Sequence, residues 1–454
     1  MSPMAQALAP QLAVAAGVLG ALTSGVERRS SSALLRVLSL AALAAGLSLT
    51  AVVATGTFGP LLKIDALGRA WQWLFYAGAV PAALLLAMDD EVPAALLLGS
   101  VLGMGLLAAS GSLILLFIGL EFMSLPAYLL VARSGENRRE AREAAVKYFF
   151  AGSTAGGLFL LGMSLRYAAT GSLTLGPGAG PLAEAGLTLM GAAALFKVGA
   201  VPLQFWLPDA YEAAAPELAG FLSTSMKSAA VLLLMRLVSL SPDSALARAL
   251  PFVAALTMLV GGALALRQQK LQRLLAYSSV SHAGFLLLGV GAWAARGAAP
   301  PAAVPIFFYL AAYVLMSNGA FAFLRASGAR TRADMKGLAA REPRLAAFFS
   351  LILLSLGGVP PTAGFLSKLL VLWDAVQSSL YWPAAAGAVA ALISLGYYLG
   401  LVRDMYFEKA EGAAASSSCS CGARWVLAAC AAPVAVLGAL PWIVSLAARA
   451  LGAP

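Results

Sequence analysis

Along its length the chain alternates apolar runs of about 20 residues with short polar interruptions. Fourteen such runs stand out, centred near residues 17, 43, 80, 102, 122, 157, 195, 228, 257, 283, 313, 358, 395 and 437. A helix of ~20 apolar residues crosses the ~30 Å hydrocarbon core of a bilayer, so each run predicts a membrane-spanning helix. The third, WQWLFYAGAVPAALLLAM, contains Pro81 and is the weakest of the set. The longest polar segments are residues 133–142, 325–344 and 403–424, and no stretch resembles a soluble domain. The pattern predicts an all-α polytopic membrane protein with about 14 transmembrane helices.

Composition agrees. Of 454 residues, 61% are hydrophobic and 11% charged, with a mean hydropathy of +0.86. A soluble domain is about 25% charged, and so few charges cannot cover a water-facing surface. The N-terminus lacks the basic stretch and cleavage site of a secretory signal peptide. The net charge of +10 raises nucleic acid as a partner, but no basic domain lies outside the membrane to bind it.

The basic residues instead segregate by loop. One set of alternate loops holds nineteen: Arg28, Arg29, Arg36, Arg133, Arg138, Arg139, Arg142, Arg267, Lys270, Arg273, Arg325, Arg330, Arg332, Lys336, Arg341, Arg344, Arg403, Lys409 and Arg424. The other set holds seven: Lys63, Arg69, Arg166, Arg236, Arg248, Arg296 and Arg449. The richer side is expected to be cytoplasmic, which places both termini in the periplasm. Cys419 and Cys421, in SSSCSCGARW, form a C-x-C without the further ligands of a zinc or iron–sulfur site, and they read as part of a polar loop. Cys430 lies in an apolar run, and no phosphate loop or nucleotide fingerprint occurs.

Four lysines remain, all inside or at the rim of predicted spans: Lys147, Lys197, Lys227 and Lys368. Glu121 joins them as the one deep acid, since Glu184 and Asp374 lie nearer the ends of their spans. Glu121 and Lys227 sit about halfway through theirs, on the order of 15 Å from either end at 1.5 Å per residue. Lys147 is shallower and can snorkel to the interface. Ionisable residues at such depth are costly and mark function by default, although a static ion pair between helices is the plain alternative. Burial disfavours a charged lysine and a nearby carboxylate favours it, each pKa unit being worth about 1.4 kcal/mol. A lysine whose acid partner comes and goes can therefore gain and lose a proton, which is what a proton relay requires.

Two Gly–Pro interruptions accompany these lysines. Residues 195–206 read LFKVGAVPLQFW, with Pro202 about a turn and a half after Lys197. Proline removes one backbone donor and breaks the helix, and the freed carbonyl must find protein or water. The twelfth run, SLGGVPPTAGFLSKLLV, repeats the device with Pro360, Pro361 and Lys368. An isolated kink is ordinary in membrane helices. Break and lysine together, twice, point to an ion site in an inverted-repeat transporter. His282, the only histidine, lies in YSSVSHAGFLLLG beside Ser278, Ser279 and Ser281. It is either a hydrogen-bonded structural residue or a group that orders water between the halves. Gly99, Gly103, Gly156 and Gly157 read as helix-packing contacts.

The segments EAAVKYFFAGSTAGGLFLLGMSLRYAATGSL, FKVGAVPLQFWLPDAY, STSMKSAAVLLLMRL, QRLLAYSSVSHAGFLLLG and SLGGVPPTAGFLSKLLVL resemble, in order from about residue 90 to 405, the antiporter-like subunits of proton-pumping NADH–quinone oxidoreductase, respiratory complex I. The resemblance implies two inverted five-helix repeats with helices 7 and 12 broken. It divides the chain into residues 1–90 (helices 1–3), 91–240 (first repeat), 241–410 (second repeat) and 411–454. It also implies that Glu121 and Lys197 form an input pair, Lys147 is the sixth-helix lysine, Lys227 passes charge along the midplane, His282 links the halves, and Lys368 is the output station. Lysine rather than glutamate at 368, and no long C-terminal extension, imply the N-type of these subunits. The chain departs from the family pattern at Gln204, where histidine is usual, and at residues 207–216, LPDAYEAAAP, where TPDVYQGAP is usual. Both departures bear on the cytoplasmic intake route.

The implied activity is proton translocation, or charge relay, driven by quinone chemistry elsewhere. This chain would hold no cofactor or metal of its own. NADH, FMN, iron–sulfur clusters and quinone would belong to partner subunits, and neighbouring antiporter-like and small membrane subunits would be its contacts in a bacterial inner membrane. Two alternatives share the sequence features. One is a subunit of a cation/proton antiporter or membrane-bound hydrogenase, separable by gene neighbourhood. The other is a non-transporting scaffold, which would keep full activity after every buried lysine is neutralised. The loop charges make a direct prediction: topology reporters fused after Arg341 and at the C-terminus will give opposite signals, and equal signals would break the helix count.

Overall fold

All fourteen apolar runs are helical in the computed structural model, which describes residues 3–26, 31–135, 137–409, 421–439 and 443–451. Cys419 and the basic residues Arg28 and Arg29 lie outside the described residues. The main helices are α1 (Ala9–Val26), α2 (Ser32–Val52), α3 (Ala66–Leu85), α4 (Glu91–Ala108), α5 (Leu113–Ser134), α6 (Arg138–Thr170), α7 (Pro181–Val198) and α8 (Trp206–Ala213). They continue with α9 (Pro216–Val238), α10 (Ala245–Leu266), α11 (Leu271–Ala295), α12 (Val304–Ser327), α13 (Pro343–Gly357), α14 (Ala363–Gln377), α15 (Tyr381–Tyr406) and α16 (Cys421–Ala439). Among the described residues, twelve helices are long and apolar enough to cross a membrane. The chain is thus a multi-pass membrane protein. The third expected span forms α3, and the twelfth is split into α13 and α14.

Helix starts follow side-chain chemistry. Ser31, Asp65, Asp90, Ser112 and Asn137 each accept a hydrogen bond from a backbone N–H in the first turn of the helix that follows, satisfying donors that have no partner within the helix. Between α2 and α3 lies a small antiparallel hairpin that hydropathy did not forecast, pairing Gly56–Phe58 with Leu62–Ile64 in the register Thr57↔Lys63.

The chain folds as two units. Among the described residues, the first comprises residues 3–198 and Ala213–Ala249, with residues 450–451; the second comprises Gly199–Glu212 and Leu250–Arg449. In the first, α4 packs on α5, α6 on α5 and α7, and α1 on α2 and α4. Gly103 permits one of these close approaches, since a side chain there would meet the α5 backbone at Met123. In the second, α12 packs on α14 and α16, and α13 on α15.

Helix α9 is buried throughout its apolar window. It is not uniform: residues Leu222–Met226 form a π-turn between α-helical segments, and Lys227 follows directly. Such single turns carry one extra residue and recur at functional positions.

Arg166 and Arg236, assigned to loops on sequence grounds, are buried at helix ends. The Arg166 guanidinium donates to Gly176 O at 2.5 Å. Arg236 forms a two-pronged pair with Asp65 (Nη2–Oδ1 2.8 Å) and reaches Ala108 O at 3.2 Å. Burial alone would push the Asp65 carboxyl up. The hydrogen bonds and charge of Arg236, the Gly68 N–H and the charge of Lys63 more than offset this and hold it below the usual carboxylate range. The contribution of a depressed acid is complete above its unfolded value, near pH 4, and is lost as pH falls through the folded value. Asp65→Ala leaves a buried guanidinium unpaired and is expected to cost about 3 kcal/mol. Thermal melts of the detergent-purified protein will show that loss at neutral pH, and the difference from wild type will shrink as pH falls below about 4.

Candidate functional site

Of the six sequence-predicted relay residues, four are deeply buried: Lys197, Lys227, His282 and Lys368, each at most 6% exposed. Glu121 is half-buried and Lys147 is exposed.

In the first unit, Glu121 projects from the middle of α5 and Lys197 from the last turn of α7. No direct hydrogen bond joins them among the described residues. Lys197 Nζ donates instead to the Tyr128 hydroxyl at 2.7 Å. It stands 5.0, 5.4 and 5.8 Å from the ring centres of Tyr128, Tyr148 and Phe196, where ring quadrupoles attract a cation. Glu121 Oε1 is buried with no hydrogen-bond partner among the described residues. Gly156, read as a helix-packing position, faces that carboxylate: a side chain there would come within 2.7 Å of Oε1. Gly157 faces open space.

Lys147 lies apart from the four buried residues. Helix α6 begins at Arg138, earlier than hydropathy suggests, so Lys147 falls within its third turn on an outward face. There it pairs with Glu143 at 2.8 Å across i,i+4. Lys227 is buried directly after the π-turn, among the buried hydroxyls of Ser223, Thr224, Ser225 and Ser228.

The second unit holds the other buried groups. The twelfth span breaks at Gly358, whose φ of +86° is left-handed and suits glycine. The last carbonyls of α13 have no helical N–H to accept from, and Lys368 on α14 fills that need. Its Nζ donates to Leu356 O at 2.8 Å, Gly357 O at 3.0 Å and Ser394 Oγ at 3.0 Å. The first break has the same left-handed glycine, Gly199 at φ +84°, and exposed Pro202. Its freed backbone is served differently, with Val201 N donating to Thr257 Oγ1 at 3.1 Å. Only Lys368, therefore, lies against open backbone as expected of both lysines.

His282 Nδ1 is 2.7 Å from the Tyr309 hydroxyl, and its ring lies 5.0 Å from that of Tyr313. Tyr313 OH donates to Ser279 Oγ at 2.9 Å, and Ser278 bonds Tyr398. Phe285 stacks on Tyr309 and lies under Lys368 Nζ at 5.4 Å. A run of hydroxyls and rings thus surrounds the histidine.

Sequence reading missed these tyrosines and Ser394, because single hydroxyls in an apolar run carry no periodic signal. It also missed one buried acid, Glu217, and set aside another, Asp374. Glu217 is 4% exposed in the first turn of α9, where an acid usually signals only a helix start. Asp374 is 4% exposed and pairs with Arg296 at 2.5 Å. Glu184, set aside earlier, accepts from Ala245 N and caps α10.

Comparison with known proteins follows this geometry. Residues 110–394 match the family described as NADH:quinone oxidoreductase/Mrp antiporter, TM. The NADH-quinone oxidoreductase subunit N of Desulfovibrio desulfuricans is 35% identical, over 96% of this chain and 94% of that relative. A chain of respiratory complex I from Thermus thermophilus with bound aureothin is 32% identical with a TM-score of 0.86, covering 97% of this chain and 99% of that one. A chain of the Mrp complex from Dietzia sp. shares the fold at a TM-score of 0.86 and 19% identity, covering 99% of this chain and 97% of that one.

The lysine–carbonyl cradle makes a prediction. Gly358→Ala forces a side chain into left-handed backbone, at about 1–2 kcal/mol, and sets its Cβ 3.1 Å from Lys368 Cδ. It will lower the melting temperature by about 1–2 °C, whereas Gly157→Ala, facing open space, will not.

Proposed function

The chain belongs to the NADH:quinone oxidoreductase/Mrp antiporter transmembrane family, and from that premise we propose that it is the N-type membrane subunit of a bacterial NADH–quinone oxidoreductase, moving protons through its buried ionisable residues. The observation that carries this reading is the burial of Lys197, Lys227, His282 and Lys368 inside apolar spans. Charge at such depth is retained at considerable cost. Lys197 and Lys368 donate to neutral oxygens, whereas Arg236 is fixed to the Asp65 carboxylate.

In the first unit, Glu121 and Lys197 take up charge and Lys227 passes it on. In the second, His282 with its hydroxyl neighbours serves Lys368, the output station. Lys368 suits that task because its partners are neutral oxygens. They stabilise the ammonium without holding it as a carboxylate would, so proton release is not opposed by an adjacent opposite charge. Lys147, on the outside of α6, acts at the margin of this relay. The two units correspond in this reading to inverted five-helix repeats, residues 91–240 and 241–410.

NADH, FMN, iron–sulfur clusters and quinone belong to partner subunits, and their redox chemistry perturbs this chain through adjoining membrane subunits. Both termini face the periplasm and the 325–344 segment the cytoplasm of the inner membrane. Gln204 and the altered 207–216 segment put the intake route on residues other than the family's usual histidine.

The test uses Lys368. Lys368→Ala removes the ionisable group, whereas Lys368→Arg keeps a charge that does not deprotonate in a protein. If the lysine must release its proton, both variants will abolish proton uptake by vesicles holding the assembled complex. Normal uptake with arginine would leave only a fixed-charge role, and normal uptake with alanine would favour a scaffold.

A further inference from the structure

Lys197 is hydrogen-bonded to a phenol that shares helix α5 with Glu121. Tyr128 is 4% exposed, and its hydroxyl oxygen accepts from Lys197 Nζ at 2.7 Å. A tyrosine hydroxyl both accepts and donates, so its own hydrogen remains to be given elsewhere. The rings of Tyr148 and Phe149, both on α6, lie 4.5 and 5.8 Å from that of Tyr128 at steep angles and fix its orientation.

The surface of α6 shows where that hydrogen can go. Glu121 and Tyr128 are seven residues apart on α5 and share a face, two turns apart. Opposite them, Gly152 and Gly156 are four apart on α6 and also share a face. A side chain at Gly152 would overlap the Tyr128 hydroxyl, and one at Gly156 would come within 2.7 Å of Glu121 Oε1. Both polar groups therefore lie over one glycine-floored strip, about one helical turn or ~6 Å apart. A short file of water, each bond ~2.8 Å, spans such a gap. Glu121 Oε1, which lacks a hydrogen-bond partner among the described residues, is the acceptor such a file needs.

We propose that Tyr128 is a proton-bridging residue connecting Glu121 to Lys197 along this strip, which Gly152 and Gly156 keep open. The assignment rests on the relay reading above. A proton on the Glu121 carboxyl passes to the water file, and the file gives one of its own to the phenol oxygen. The phenol's original hydrogen goes to the neutral Lys197 amine. Water and phenol end as they began, the carboxyl becomes a carboxylate and the amine an ammonium. In that end state Lys197 donates to Tyr128, the direction a charged lysine must take in the 2.7 Å bond. No charge rests on the phenol at the start or the end.

Tyr128→Phe keeps the ring beside Lys197 and removes only the hydroxyl. In the assembled complex in vesicles, it is expected to slow proton delivery on the order of 100-fold, with the solvent deuterium isotope effect on turnover rising as that step becomes limiting. Glu121→Gln and Lys197→Ala are measured alongside. Normal uptake by Tyr128→Phe while those two fail would overturn the bridge and leave the relay standing. Normal uptake by all three would overturn both. A loss with an unchanged isotope effect would mark a packing defect and overturn the bridge. If Tyr128→Phe does not assemble, Gly156→Ala decides, since it leaves Tyr128 intact and fills the strip: lost uptake supports the bridge, and normal uptake overturns it.

Discussion

A hydrocarbon interior offers no water to an unpaired backbone carbonyl or to an ammonium, and at the second helix break each supplies what the other lacks. The carbonyls of Leu356 and Gly357 lose their helical partners where α13 ends, and Lys368 occupies them from the start of α14. Glycine in left-handed backbone makes the break possible, the break exposes the oxygens, and the oxygens make a buried cation tolerable. Neutral dipoles, unlike a carboxylate, set no opposite charge beside the ammonium.

The first break answers the same constraint with other groups. Thr257 serves the loosened backbone, and Lys197 turns to a phenol and three aromatic rings. Polarisable ring faces and neutral oxygens recur around the buried lysines for which partners are seen, while the carboxylate pairs Arg236–Asp65, Arg296–Asp374 and Arg332–Asp404 involve arginine. Arginine stays charged and suits fixed pairing; lysine shifts readily when buried and suits exchange. Arg236, Arg296 and Arg332 thus hold carboxylates, while buried Lys197 and Lys368 hold neutral groups.

This division explains what could be read from sequence. The helices were legible because apolar runs of spanning length have few other uses, and the breaks because glycine and proline punctuate them. Lys197, Lys227 and Lys368 were conspicuous because lysine is rare at such depth. Tyr128 was not, since a phenol costs an apolar run little and only its distance to Lys197 gives it meaning. The exposure of Lys147 was not legible because hydropathy cannot tell an outward turn from an inward one, and α6 starts earlier than its apolar stretch. Glu217 resembled an ordinary acid at a helix start. The hairpin at Gly56–Ile64 was hidden by its three-residue strands, too short for an alternating pattern to register.

The π-turn at Leu222–Met226 carries a geometric implication for α9. A residue in excess of the regular repeat rotates everything before it by about 100° relative to everything after it, since each helical residue turns through 360°/3.6. Glu217 and Lys227 lie on opposite sides of this turn, so their angular relation is not the one their spacing in sequence implies. Deleting a single residue there would restore an unbroken α-helix with the same hydropathy and the same charges. It would also swing Glu217 by more than a quarter of a circle about the helix axis while Lys227 stayed in place. The phase of this buried helix is therefore a property separate from its composition, one that a hydropathy profile cannot register.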